Sequence, residues 1–120
     1  MKTIAPLALG FALALAASAQ AQAHAQLVSA DPPVGGVAKA PPQNLDLLFS
    51  EKISEKLSGA SLKDAGGKAI PAMAMTEKAG KGLMMMMQQP LKPGVYTVTW
   101  HAVASDDGHR TEGTYSFTVN

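Results

Sequence analysis

A strict alternation of apolar and polar side chains in the C-terminal third is the feature that most constrains the fold of this chain. In residues 96–102 and 113–120, apolar side chains recur at every second position and polar ones mostly lie between them. A period of two is typical of a β-strand with one buried face and one face in water. The apolar set comprises Tyr96, Val98, Trp100, Ala102, Tyr115, Phe117 and Val119. We therefore predict two strands here that contribute to the core of a β-protein.

Shorter segments with strand character precede these two, and Pro and Gly turns separate them. We predict strands at 26–29, 45–49, 60–63, 70–76 and 83–88, with a helical turn or an irregular loop at 51–57 and a polar loop at 105–112. Short strands at regular spacing favour an antiparallel β-sandwich. The chain contains no cysteine, which excludes disulfides and thiolate metal sites.

The N-terminal segment has the order of a secretory signal peptide. Lys2 supplies a positive start, residues 4–17 are almost wholly apolar, and small residues follow as far as Ala23. The apolar run has about 14 residues, whereas a membrane-spanning helix needs about 20. We predict a cleaved signal peptide at 1–23 and one domain at 24–120, exported to the periplasm and not integral to the membrane after processing.

The site of cleavage has a chemical consequence. Three overlapping Ala-x-Ala sites compete between Ala17 and Ala23, and cleavage after the last leaves His24 as the first residue.

The formal net charge of +1 falls to zero when Lys2 is removed, so the chain lacks the basic surface that a nucleic-acid partner requires.

A histidine at a free N-terminus offers two nitrogens to the same metal. The α-amine has a pKa near 8, so a metal can displace its proton close to neutral pH. The amine and the imidazole of His24 together form a chelate, and nitrogen ligands in a tetragonal plane suit Cu(II).

The loop between the two C-terminal strands supplies further ligand types. Asp107 and His109 are separated by one residue, so in extended backbone their side chains share a side. Gly108 permits a bend between them. Asp106 is an alternative carboxylate, whereas His101 follows the outward pattern of its strand and is interpreted as a surface histidine. Spacing alone is weak evidence for a metal in this loop, and the N-terminal histidine strengthens it.

Several dispersed motifs together carry a family resemblance. They are His24-Ala25-Gln26-Leu27-Val28-Ser29, Asp31-Pro32-Pro33 with Gly35, Leu48-Phe49-Ser50-Glu51, Pro93-Gly94 with Tyr96, Val98 and Trp100, and Asp107-Gly108-His109 with Gly113. In this order they resemble the CopC family of periplasmic copper-resistance proteins, over essentially all of residues 24–120.

The resemblance implies a fold, a ligand set and a role. The fold is a cupredoxin-like or immunoglobulin-like Greek-key β-barrel or sandwich. The ligands of Cu(II) are then His24, through amine and imidazole, with Asp107 and His109. Glu51 is expected near this site without binding the metal. The implied role is copper resistance, by sequestration or by delivery to a CopD-like inner-membrane copper transporter or another periplasmic copper protein.

The chain departs from the family pattern in two places. Arg110 stands where many members have proline after the loop histidine. The chain also lacks the methionine-rich, histidine-containing loop with which some members hold Cu(I). Its own methionines offer a Cu(I) hypothesis, because thioethers are soft ligands. The competing interpretation is core packing, which we favour since methionine commonly fills irregular gaps. The candidates are Met73, Met75, Met84 and Met86.

Two other function classes remain open at this point. A histidine-brace copper oxidase or monooxygenase also uses an N-terminal histidine, but it needs an open copper position that Asp107 would fill. A metal-free immunoglobulin-like interaction module would need neither the free amine nor the loop ligands, since a fold alone does not fix function. We expect no enzymatic activity, because the sequence contains no nucleophile elbow, phosphate-binding loop or zinc-hydrolase motif.

Overall fold

The computed structural model describes residues 24–120, so the predicted signal peptide at 1–23 lies outside the described residues. Within 24–120 the chain forms strands joined by turns and loops, and it contains no helix. The strands are β1 (Leu27–Asp31), β2 (Val37–Ala38), β3 (Asn44–Phe49), β4 (Gly59–Lys63), β5 (Ala69–Ile70), β6 (Ala72–Glu77), β7 (Gly82–Met87), β8 (Gly94–Val103) and β9 (Arg110–Val119). Nothing in the described part of the chain has the length and hydropathy of a membrane-spanning helix.

The strands form two sheets whose inner faces share one core. The first sheet has the order β1-β3-β7-β6, and the second has the order β2-β9-β8-β4-β5. All pairings are antiparallel except the two-residue pairing of β2 with β9. The prediction of an all-β sandwich is confirmed.

The core consists mainly of the alternating apolar residues that the sequence marks. Leu45, Leu47 and Phe49 of β3 are buried and face the buried side chains of β8 and β9 across the sandwich. The Phe49 and Trp100 rings meet edge to face with centroids 5.2 Å apart, a favourable aromatic geometry. Gly113, directly opposite Trp100, leaves room for the indole, because a Cβ there would lie 2.7 Å from Cζ2.

Two predicted boundaries are wrong for identifiable reasons. The strand predicted at 70–76 is divided at Pro71: β5 pairs with β4 in one sheet, and β6 pairs with β7 in the other. Proline has no N–H to donate to a ladder, so the chain changes sheets there. The loop predicted at 105–112 is shorter, because the β8–β9 ladder already begins at the pair Val103 and Arg110.

The remaining boundary differences are small. The first strand runs from Leu27 to Asp31 rather than over 26–29. Between residues 51 and 57 the chain takes the irregular-loop alternative, with one isolated bridge between Ile53 and Ala104. This bridge connects the 51–57 segment to the end of β8, close to the loop that leads into β9.

Candidate metal centre

The turn between β8 and β9 is closed by its own backbone. The N–H of Gly108 donates to the carbonyl of Ala104 at 3.0 Å, and the N–H of Ala104 donates to the carbonyl of His109 at 2.9 Å. Gly108 has a φ of 73°, in the left-handed region that glycine occupies without steric cost. The long β8–β9 ladder therefore ends in a tight turn that carries Asp107 and His109.

Within this turn, Asp107 contacts His109 through both carboxylate oxygens. The backbone N–H of His109 donates to Oδ1 at 3.1 Å, and Nδ1 of its ring lies 3.1 Å from Oδ2. The backbone hydrogen bond first, and the imidazole contact second, hold the pKa of Asp107 below its ordinary value. The carboxylate is thus ionised at neutral pH and already oriented towards the imidazole.

The start of the described chain is tied to the same end of the sandwich. The Thr111 hydroxyl on β9 donates to the carbonyl of Ala25 at 2.6 Å. Ser50, which follows β3, accepts the N–H of Gln26 on its hydroxyl at 3.0 Å and lies 3.5 Å from the carbonyl of His24. The Ala25 side chain is completely buried. These contacts hold His24 between the end of β3 and the start of β9.

The three residues proposed from the sequence as ligands lie together. One ligand atom each from His24, Asp107 and His109 lies within 4.8 Å of the others. The two imidazole rings have centroids 4.2 Å apart at an interplanar angle of 63°. Nδ1 of His24 is buried and has no hydrogen-bond partner among the described residues. A buried nitrogen without a partner is costly, and a metal ion that accepted its lone pair would remove that cost.

The donor set therefore fits a borderline metal ion. It contains two imidazoles and one carboxylate, and processing before His24 would add an amine next to the orphaned Nδ1. Only Cα, Cβ and Cγ separate the amine nitrogen from Nδ1, so these two nitrogens would hold one metal ion together as a chelate. Nitrogen-rich sets with one oxygen suit Cu(II) in a tetragonal plane.

Other residues singled out in the sequence lie outside this group. Asp106 is exposed and does not belong to it. His101 lies on β8 opposite Gly59 of β4, and its Cε1 would be 3.1 Å from a Cβ at Gly59. Glu51 is also outside it, although its Oε2 is buried without a hydrogen-bond partner among the described residues.

The four candidate methionines are placed on β6 and β7, at the far edge of the first sheet from β1. The strand β3 lies between β7 and β1, next to which His24 stands, so the sheet order separates these methionines from the group formed by His24, Asp107 and His109.

Sequence analysis missed the two hydroxyl residues that position the chain start. Thr111 contacts Ala25, which is 86 positions away in sequence, and Ser50 acts over 24 positions. No local spacing signals such a contact. Thr111 was also assigned to the loop, whereas it lies on β9.

Comparison with known proteins gives one consistent result. The model of the CopC domain family matches residues 27–120. The protein YobA of Escherichia coli is 40% identical over 99 residues, covering 80% of this chain and 78% of YobA. Copper resistance protein C of Escherichia coli is 36% identical over 104 residues, covering 80% of this chain and 81% of that protein.

A solved structure agrees with the described fold. The crystal structure of PcoC, a methionine-rich copper resistance protein from Escherichia coli, superposes with a TM-score of 0.75 at 33% sequence identity. The superposition covers 82% of this chain and 100% of PcoC.

Proposed function

The chain belongs to the CopC domain family, and on that premise we propose that it is a periplasmic Cu(II)-binding protein. The proposed ligands are the α-amine and imidazole of His24, a carboxylate oxygen of Asp107 and the imidazole of His109. The observation that carries the proposal is the convergence of ligand atoms from these three residues within 4.8 Å. The relatives named as copper resistance proteins support copper as the metal.

The free amine requires export. Residues 1–23 are proposed to act as a signal peptide that is removed in the periplasm, so that His24 becomes the first residue. The four donors then carry one negative charge, on Asp107, if the imidazoles and the amine bind as neutral groups. A neutral-nitrogen set with one carboxylate stabilises the divalent ion, which is what sequestration demands.

The role proposed for the bound copper is resistance. The protein would lower the concentration of free copper in the periplasm or pass the ion to a CopD-like inner-membrane transporter or another periplasmic copper protein. Both uses need an accessible site. Side chains of His109 and Asp107 are 61% and 45% exposed, so a partner's ligands can approach the ion from solvent.

We propose binding without catalysis. Oxygen activation by a histidine brace needs an open position in the copper plane, and a coordinated Asp107 carboxylate would occupy it. The Asp107 carboxylate is an oxygen ligand with a negative charge, which suits the divalent ion better than the softer monovalent ion, and hydrogen bonds from His109 hold its pKa below the ordinary value. A metal-free interaction module is the other alternative, and the same titration separates it from a copper protein.

The test is a Cu(II) titration of the processed protein, followed by electron paramagnetic resonance. We expect one Cu(II) per chain with hyperfine coupling to nitrogen. His109→Ala removes one nitrogen from that pattern and weakens binding at least tenfold, equivalent to about 1.4 kcal/mol. His101→Ala is the matched control and leaves the spectrum and the affinity unchanged, because His101 lies outside the ligand group.

Three results would contradict the proposal. Unchanged copper binding by His109→Ala would exclude His109 as a ligand, and no stoichiometric Cu(II) binding by the processed wild type would favour the metal-free module. Copper-dependent consumption of oxygen in the presence of a reductant would instead favour the oxidase.

A further inference from the structure

The two sheets part at the end of the sandwich that lies away from the candidate metal centre. The chain crosses from the second sheet to the first at Pro71, between β5 and β6, and returns through residues 88–93, between β7 and β8. These crossings and the β4–β5 turn enclose a groove with a volume of about 510 Å³. Ligand sites in proteins commonly measure about 300–1,000 Å³ and occur in the mouths of β-barrels.

The floor of the groove is part of the hydrophobic core. Leu91 and Tyr96 line it and are 4% and 5% exposed, and half-buried Ile70 packs against the same core. The Tyr96 hydroxyl donates to the carbonyl of Lys92 at 2.6 Å, so the polar atom of this ring already has a partner. The floor therefore offers apolar surface to a ligand.

The rim of the groove is apolar and conformationally restricted. Pro71, Pro90 and Pro93 line it, together with Val95, which is 46% exposed. A proline ring fixes φ near about −65°, so these three positions lose little freedom when a ligand binds. Exposed apolar surface with polar residues around it is typical of an interaction site.

Two lysines supply positive charge at the groove. Lys68 and Lys92 both line it, and neither belongs to an ion pair within residues 24–120. Among the described residues of the lining, Asp64 alone is acidic. Its Oδ1 accepts the N–H groups of Gly66 and Lys68 at 3.0 and 2.9 Å, so this carboxylate closes the β4–β5 turn. Both ammonium groups are therefore left to a ligand.

We propose that this groove binds a single-chain amphipathic anion, which is an aliphatic chain that ends in one anionic group. The chain lies on the apolar floor of Ile70, Leu91 and Tyr96, and the anionic group lies between the ammonium groups of Lys68 and Lys92. Burial of the chain drives binding in proportion to its apolar area. The lysines select the charge, because hydrogen bonds between ionised groups are the strong ones.

The composition of the lining disfavours other classes of ligand. The described residues that form it include no histidine, so it lacks the imidazole nitrogens that suit transition metals. Tyr96 is the one aromatic residue among them and it is buried, whereas nucleobases are held by stacking on accessible rings. Two lysines balance one or two negative charges, which excludes a polyanion.

The groove is remote from the proposed Cu(II) centre. The ten-residue strand β8 begins at Gly94, which lines the groove, and ends at Val103, directly before the turn of the metal centre. At about 3.3 Å per residue, such a strand spans about 30 Å. The two sites share no residue, and neither proposal depends on the other.

The test uses the processed protein without copper, and sodium decanoate is the probe. Decanoate is titrated into isotope-labelled protein, below the concentration at which it forms micelles, and the backbone amide signals are followed by nuclear magnetic resonance. We expect saturable shifts at Gly66, Ile70 and Val95, which line the groove. The signals of Asp107 and His109 should not move.

Chain length separates apolar binding from simple ion pairing. Each buried CH₂ should raise the affinity by up to about fourfold, so decanoate should bind more tightly than octanoate, and octanoate more tightly than hexanoate. Octanol has the chain of octanoate without its charge. It should bind at least about tenfold more weakly than octanoate, because it makes no ionic contact with the lysines.

Charge variants locate the anionic group. Lys68→Gln with Lys92→Gln removes both charges and should weaken decanoate binding at least about tenfold. The matched control is Lys78→Gln with Lys81→Gln, in the β6–β7 turn at the other end of the sandwich, and it should bind decanoate as the parent does.

Vesicles of phosphatidylglycerol identify the source of the anion. Co-sedimentation with these vesicles that is lost in the Lys68→Gln, Lys92→Gln variant would identify an anionic membrane lipid. Decanoate binding without co-sedimentation would identify a free fatty acid.

Three results would overturn the proposal. They are no saturable binding of decanoate, an affinity that does not rise with chain length, or equal binding by the Lys68→Gln, Lys92→Gln variant and the parent. Each leaves the Cu(II) proposal untouched, because these measurements are made without copper and at the other end of β8.

Discussion

Replacing Thr111 with Val should reveal how much the tether of the chain start contributes to stability and to copper binding. The substitution keeps the shape of the side chain and removes the hydroxyl that donates to the Ala25 carbonyl at 2.6 Å. A typical hydrogen bond contributes about 1 kcal/mol, and a buried carbonyl left without a partner costs about 1–3 kcal/mol. Thr111 is half-buried, so we expect a loss of about 1–2 kcal/mol in the free energy of unfolding.

The same change should reach the proposed metal centre through His24. Ala25 follows His24 directly, so a loosened Ala25 carbonyl allows His24 more positions in the copper-free protein. Ordering His24 then takes part of the free energy of Cu(II) binding. If that part equals the free energy of the lost hydrogen bond, Cu(II) affinity falls by between about fivefold and thirtyfold.

Thermal unfolding and a competitive Cu(II) titration measure both effects. A loss of 1 kcal/mol lowers the Tm of a domain of this size by at least about 4 °C. Thr114→Val is the matched control on β9, because the Thr114 hydroxyl lies on an exposed face, 3.5 Å from the Thr99 hydroxyl. It should change stability by less than about 0.5 kcal/mol. If Thr111→Val bound Cu(II) as tightly as wild type, the hydrogen bond from Thr111 to Ala25 would have no part in positioning His24 for copper.

Three further predictions concern burial and protons. Burial raises the pKa of Tyr115 to about 12, and its hydroxyl has no partner among the described residues. Tyr115→Phe should therefore leave the free energy of unfolding unchanged or raise it by up to about 1 kcal/mol, measured by denaturant unfolding. A lower free energy of unfolding would show that the hydroxyl has a hydrogen-bond partner. Glu55 accepts hydrogen bonds from the Thr76 hydroxyl and N–H at 2.7 and 3.1 Å, which lower its pKa below 4.5. The stability that these hydrogen bonds give the folded protein is present above pH 4.5, and it is lost as the pH falls through the lower pKa that Glu55 has in the folded protein. The stability advantage of wild type over Glu55→Gln should thus vanish in acid, and an advantage independent of pH would contradict this. Cu(II) affinity in competition titrations should fall from mildly alkaline to mildly acidic pH, because protons compete for the amine and imidazoles, whereas a flat profile would argue against these ligands.

The strands were predictable from sequence where one face is buried and the other is in water, because apolar and polar residues then alternate. β3, β8 from Tyr96 and β9 from Tyr115 each place an apolar side chain in the core at every second position, so the inward faces of these segments follow from alternation alone. The division at Pro71 was harder, because the residues on both sides have strand character. Which sheet each half joins depends on partners far along the chain.

In the candidate site, too, contacts between residues close in sequence were predictable and contacts between distant residues were not. Asp107 and His109 form a local motif, and family resemblance joined them to His24. The hydroxyls of Ser50 and Thr111, which fix the approach of His24, act across long sequence separations and leave no local signal. The pairing of Met73 with Met86 and of Met75 with Met84 depends on the β6–β7 register, which the sequence pattern does not determine.

The free amine of His24 is the ligand on which the proposed copper centre depends most. It exists only if processing ends after Ala23, so we compare the protein that begins at His24 with the same protein preceded by Ala23. Both are titrated with Cu(II) and followed by electron paramagnetic resonance. We predict one tightly bound Cu(II) with nitrogen coupling for the first protein, and for the second a changed coupling pattern with at least tenfold weaker binding. Equal affinity and identical spectra for the two proteins would contradict coordination by the N-terminal amine.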